Sequence, residues 1–225
     1  MDLSRLNKEQ QEAVKHMEGP LLILAGAGSG KTTMMTHRIA YMLEKGVSPY
    51  NILAVTFTNK AAGEMKDRIE SLTGGTRGMW VMTFHAMCVR ILRNHGEVLG
   101  FKNGFSIYDE SDKKALLKRI VKDLKIDEKI YPVSYLGSVI SSCKEAEEDP
   151  DDYIENNSMN FKAETVAKVY ARYMEDLQQN NAMDFDDLLW NAVKLFEASS
   201  EVLSYYQERF KYIMVDEYQD TNYLQ

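Results

Sequence analysis

The sequence predicts an α/β fold, a doubly wound parallel sheet interrupted by a helical insertion, on three observations. Short apolar runs alternate with helical stretches through the first half of the chain. A glycine-rich turn closes the first of those runs. From about Asp109 the pattern becomes helical, and a short apolar run returns only at Tyr212.

Taken in order, residues 21–24 (Leu-Leu-Ile-Leu), 52–57 and 80–84 read as buried parallel strands, because a strand covered on both faces is apolar throughout rather than alternating. Helical stretches at 31–44 and 60–72 lie between them, the second closed by Gly74-Gly75. Leu116, Leu117, Ile120, Val121 and Leu124 fall on one helical face. Val166, Val169, Tyr170, Tyr173, Met174 and Leu177 follow the same period, as do Leu188, Leu189, Ala192, Val193 and Phe196. Residues 145–152, acidic and containing Pro150, read as a loop. Residues 212–215 read as a strand with acidic residues at its end. No internal repeat or low-complexity tract interrupts this order.

Composition narrows the class. Of 225 residues 44% are hydrophobic and 27% charged, which excludes wholesale disorder, collagen-like repeats and a disulfide scaffold. No apolar run approaches the roughly 20 residues that cross a bilayer. Residues 1–5 carry no apolar stretch behind a basic start, and Cys88 and Cys143 lack metal-like spacing, so free thiols and a cytoplasmic location are expected. The net charge of −7 argues against nucleic acid as a partner. Yet residues 58–105 hold seven basic groups against four acidic ones, while 145–225 hold six against nineteen. A local basic face and ordinary solvated helix surfaces are both compatible with that asymmetry.

The segment Ala25-Gly26-Ala27-Gly28-Ser29-Gly30-Lys31-Thr32 lies between the first apolar run and a helix and matches G-x-x-x-x-G-K-[ST] except that Ala25 stands first. Glycines let successive backbone N–H groups turn inward around phosphate oxygens, and a helix N-terminus adds partial positive charge. Lys31 is placed to reach the β- and γ-phosphates and Thr32 to set a hydroxyl on Mg²⁺. Val215-Asp216-Glu217 supplies the other half. Asp216 would serve Mg²⁺ and Glu217 would activate or orient water for attack on the γ-phosphate. The 185 residues from Lys31 to Asp216 accommodate the helical block.

These residues carry a resemblance. Asp216-Glu217-Tyr218-Gln219-Asp220-Thr221-Asn222 resembles motif II of superfamily 1 helicases, Thr56-Phe57-Thr58-Asn59-Lys60-Ala61-Ala62 their motif Ia, Thr83-Phe84-His85 their motif Ib, and Leu6-Asn7-Lys8-Glu9-Gln10 their Q motif. The whole chain, in order, resembles the N-terminal part of a UvrD/Rep/PcrA-type DNA helicase. The resemblance implies a RecA-like ATP-binding domain 1A at 1–107 and 206–225, split by a helical domain 1B at 108–205.

It further implies ATP and Mg²⁺ as cofactors, with Gln10 on the adenine, residues 25–33 around the phosphates, and Thr32 and Asp216 on the metal. Phe57, Asn59, Thr83, Phe84 and His85 would contact single-stranded DNA, where an aromatic ring suits a sequence-blind grip because every base has a π-face. Some of these residues have second readings. Asn7 and Gln10 also fit a helix capping box, Phe57 and Phe84 also fit burial at strand ends, and His85 equally fits an ordinary hydrogen-bonded histidine. The segment 184–188 resembles a further family element, but Asp184 and Asp187 read better as a helix start.

Relatives carry arginine where this chain has Thr33, which leaves the adenine contact to be supplied elsewhere, with Arg38 as one candidate. The implied activity is ATP-driven 3′-to-5′ translocation on single strands and unwinding at single-strand/duplex junctions, in DNA repair or replication, without a membrane. The chain ends just after motif II, so the second RecA-like domain that completes such an ATP site is a missing partner. The expectation is therefore binding of Mg-ATP with very slow hydrolysis. A RecB/AddA-type helicase–nuclease subunit and a P-loop nucleotide-binding module that never translocates are the rival readings.

Overall fold

The computed structural model describes residues 2–26 and 28–225. The chain forms two compact units, residues 1–87 with 204–221 and residues 88–203 with 222–225. These limits differ from a division at 107/108 and 205/206. The first falls inside helix α4 (Phe84–His95), and the segment after it packs with the second unit's own residues, Arg93 lying over Phe105 at 4.5 Å.

In the first unit, β1 (Ile52–Thr56) is the central strand, flanked by β2 (Trp80–Thr83) and β5 (Tyr212–Val215), all parallel. Leu53 pairs with Trp80 on one side and Ile213 on the other. Every residue of β1 is buried, as its continuous apolar run requires. Helices α1 (Lys8–Lys15), α2 (Lys31–Glu44) and α3 (Asn59–Thr73) lie in this unit, whose core gathers Met34, Ile39, Met42, Ile52, Met65 and Ile69.

The first apolar run does not behave as predicted. Residues 21–24 join no ladder, and Leu22 and Leu24 are 67% and 88% exposed. An apolar run becomes a strand only where neighbours cover it. Here Ile23 alone reaches the core, so the segment is an extended connection rather than a strand.

The second unit is helical: α5 (Glu110–Asp123), α6 (Val133–Glu145), α7 (Pro150–Asn156), α8 (Ala163–Gln179) and α9 (Phe185–Ala198), with a two-stranded parallel ladder of β3 (Ser106–Tyr108) and β4 (Ala182–Asp184). Helix α10 (Ser200–Arg209) leads back towards β5. The predicted face of α8 is the buried one, with Val166, Val169, Tyr170, Tyr173 and Leu177 in a core shared with Leu117, Ile120, Leu136 and Ile140.

The predicted loop 145–152 is partly helix. Asp149 accepts the backbone N–H groups of Asp151 and Asp152, and Pro150 opens α7 at the position where its missing N–H costs nothing. Asp184 and Asp187 form the capping box of α9, as a helix-start reading requires. Both also face Lys144, which is fully buried and lies 2.8 Å from Asp184 and 2.7 Å from Asp187. Among the described residues no helix is long and apolar enough to cross a membrane.

Candidate functional site

The first unit brings the two halves of the predicted nucleotide site together. Helix α2 begins at Lys31 directly after the glycine loop, and its N-cap, Gly30, provides no side chain to bond the first-turn N–H groups. Those donors and the helix dipole are therefore available to an anion. Gly28 and Gly30 adopt φ of 74° and 84°, the left-handed region where a Cβ is strained. At Gly30 a Cβ would also lie 3.0 Å from the Gln10 amide nitrogen. Ala25, Gly26, Gly28 and Ser29 are exposed, whereas Ala27 lies outside the described residues.

Strand β5 delivers the acidic pair to the same place. The Asp216 backbone N–H extends the ladder to the Val55 carbonyl at 3.0 Å, and its side chain is buried. The Thr32 hydroxyl lies 3.4 Å from Asp216 Oδ2, and Lys31 Nζ lies 3.8 Å from Glu217 Oε1 and 3.4 Å from the Ala25 carbonyl. Thr32 and Asp216 thus present two hard oxygen donors to one point. Among the described residues no group of three or more His, Cys, Asp or Glu side chains forms a metal cage. That donor set fits Mg²⁺, which keeps waters and phosphate oxygens as most of its ligands. It would not suit zinc.

Gln10 performs its capping role. Its Oε1 accepts the Asn7 N–H at 3.0 Å, and its own N–H reaches Asn7 Oδ1 at 2.8 Å. In addition, its amide nitrogen donates to the Ser29 carbonyl at 2.9 Å, tying the start of α1 to the phosphate loop. The capping pattern was legible in the sequence. The tie to Ser29 had no signal there, being a contact across nineteen residues.

Arg38 is not an adenine ligand in this structure. Its guanidinium is buried and bonds the carbonyls of Ala13 (2.6 Å) and His16, satisfying the C-terminal end of α1. Thr33 sits in the first turn of α2, its carbonyl accepting the Thr36 hydroxyl at 2.9 Å and lying 2.7 Å from His37 Nδ1.

The residues expected on DNA divide in two. Asn59 is exposed as the first residue of α3, behind Thr58, whose hydroxyl accepts the Ala61 N–H at 3.1 Å. Phe57 and His85 are half-buried. Thr83 and Phe84 are buried instead of presented. The Thr83 hydroxyl accepts the Ala86 N–H at 3.2 Å at the start of α4, and the Phe84 ring packs on Phe57 with centroids 5.6 Å apart. The apolar strand end accounts for this: burying the Phe84 ring removes more apolar area from water than any exposed pose.

A phosphate loop at a helix start, facing an Asp-Glu pair at the end of a parallel strand, defines a P-loop nucleotide-binding domain of RecA-like build. The chain belongs to the UvrD/Rep helicase N-terminal domain family, whose model matches residues 6–225. It is 51% identical over 223 residues to proteins named ATP-dependent DNA helicase PcrA from Staphylococcus aureus and Staphylococcus epidermidis. These alignments cover 98% of this chain and 30% of each relative, so the chain spans about a third of their length.

Proposed function

We propose that this chain is the ATP-binding part of an ATP-dependent 3′-to-5′ DNA helicase that uses hydrolysis to move along single-stranded DNA and open duplex. The observation that carries the reading is the meeting of Thr32 with Asp216 and of Lys31 with Glu217 beneath the first turn of α2. Lys31 and the open N–H groups of α2 hold the phosphates, Thr32 and Asp216 would hold Mg²⁺, and Glu217 takes the proton of the attacking water. Bound there, the metal would supply charge neutralisation. Gln10, already bonded to the loop at Ser29, links base recognition to the phosphate cradle.

A second RecA-like domain would add arginines across a cleft, a contribution on the order of 10³–10⁵ in rate. This chain alone is therefore expected to bind Mg-ATP and to hydrolyse it very slowly. Turnover matching that of a full-length relative would overturn this.

On the DNA side, Phe57 offers a ring packed on Phe84, Asn59 is exposed at the start of α3, His85 is half-buried in the first turn of α4, and the Thr83 hydroxyl caps that turn. Anisotropy of a labelled single-stranded oligonucleotide, titrated across a salt series, tests this grip. Binding should weaken steeply with salt and fall about tenfold in Phe57→Ala, the loss of one base stack. Binding that ignores both changes would remove Phe57 from the track. The absence of binding at low salt would support a nucleotide-binding module whose DNA grip lies elsewhere.

A further inference from the structure

We propose that Gln219 is a positioning residue for ATP hydrolysis, its side-chain amide fixing which oxygen of Glu217 is offered to the attacking water. The inference rests on the reading of Glu217 as the residue that activates that water.

Glu217 leaves the end of β5 in the left-handed region, with φ 53° and ψ 48°, an uncommon place for a residue with a Cβ. A single helical turn follows at Tyr218–Asp220. It is closed by the Asp220 N–H on the Glu217 carbonyl (2.9 Å) and by the Thr221 hydroxyl on the Tyr218 carbonyl (2.8 Å). This fold-back carries the side chain two residues on to the Glu217 carboxylate, where Gln219 Nε2 donates to Oε2 at 2.7 Å.

The two carboxylate oxygens therefore have unlike partners. Oε1 faces Lys31 at 3.8 Å, a long contact between half-exposed groups, while Oε2 holds a short hydrogen bond. A triphosphate, with several negative charges, draws Lys31 away from a single carboxylate. Oε1 is then released and Oε2 stays held.

An amide suits this role because it orients the carboxylate without bringing a full positive charge against the group that must accept a proton. The amide's own direction is set as well. The same nitrogen lies 3.5 Å from Asp220 Oδ2, so both nearby carboxylates select the NH₂ end over the carbonyl end. On the other side the Glu217 backbone N–H donates to Asp216 Oδ1 at 3.1 Å, which ties the main chain of Glu217 to the carboxylate on the metal side.

The test uses the 225-residue chain with two readouts. In ¹H–¹⁵N spectra with Mg²⁺ and a non-hydrolysable ATP analogue, one Gln219 side-chain amide proton should lie downfield and lose that shift in Glu217→Ala. In single-turnover hydrolysis with protein in excess, Gln219→Leu should slow the step about tenfold or more while nucleotide affinity stays within about twofold, and Gln219→Asn should fall between. A Gln219 amide signal identical in wild type and Glu217→Ala overturns the proposal, and decides it even where turnover is too slow to time. An unchanged rate in Gln219→Leu also overturns it. Wild-type turnover in Glu217→Gln would instead remove Glu217 as the water-activating group, while the amide signal still reports the contact.

Discussion

Two pairs of acidic residues sit beside a lysine in this molecule, and they are built to opposite ends. In the second unit Asp184 and Asp187 close on Lys144 at 2.7–2.8 Å, with the Tyr173 hydroxyl donating to Asp184 at 2.8 Å and all four residues buried. In the first unit Asp216 and Glu217 meet Thr32 and Lys31 at 3.4 and 3.8 Å, and the side chains of Lys31 and Glu217 are 26% and 42% exposed. The same residue types are saturated in one place and loosely partnered in the other. A site that must accept phosphate and metal needs groups whose present partners are weak enough to leave. A buried charge inside a helical unit needs partners that never leave.

The largest expected effect lies in the buried cluster. Lys144→Met strands two carboxylates away from water and should cost about 3–5 kcal/mol in urea unfolding of the chain. A loss below about 1 kcal/mol would mean that the cluster is not the sealed network its distances describe.

The next effect is a pH dependence. Burial pushes the Asp187 carboxyl up to about 6, while at Asp184 burial is opposed by the Lys144 charge and hydrogen bond, the Asp187 backbone N–H and the Lys113 charge, which together hold it below the ordinary carboxylate range. A carboxyl raised on folding keeps its proton to higher pH in the folded state than in the unfolded one. Its contribution is therefore complete below the ordinary value near 3.8 and is lost as pH rises through about 6. Asp184 works the other way, contributing above its ordinary value and losing that as pH falls. Asp187→Asn keeps an acceptor for the Asp184 N–H and never ionises. It should gain stability relative to wild type between pH 4 and pH 7, by on the order of 2 kcal/mol in urea unfolding. A constant difference across that range would remove Asp187 as the titrating group.

At the nucleotide site the effect on stability should be the smallest. The Lys31–Glu217 pair is long and solvated, so Lys31→Met should change the unfolding free energy by less than about 1 kcal/mol.

Much of this was legible in the sequence, and the residues show why. Helix 31–44 and strand 212–215 match α2 and β5 residue for residue. A glycine turn punctuates the start of one, and an apolar run bounded by acids marks the other. The capping boxes at Asn7 and Asp184 were readable because a cap is a local bond, three residues long. The run at 21–24 misled because an apolar sequence reports a wish for cover, and cover is a tertiary fact. Phe84 fits both a DNA contact and burial at a strand end for the same reason: nothing local says that Phe57 will pack on it. Arg38 on the α1 carbonyls, Gln10 on Ser29 and the three-way meeting at Lys144 all span nineteen residues or more, beyond any local pattern. The contact of Gln219 with Glu217 is only two residues long, but it depends on a left-handed glutamate that the sequence does not announce.

Lys31 and the Asp216–Glu217 pair are proposed to form a site for Mg-ATP. Titration of a fluorescent ATP analogue into wild type and Lys31→Met, with and without Mg²⁺, tests it most directly. Saturable binding that depends on Mg²⁺ in the wild type and is lost in the variant, with the two proteins melting at the same temperature, is the predicted result. Equal affinity in both proteins, or the absence of binding in the wild type, would contradict it.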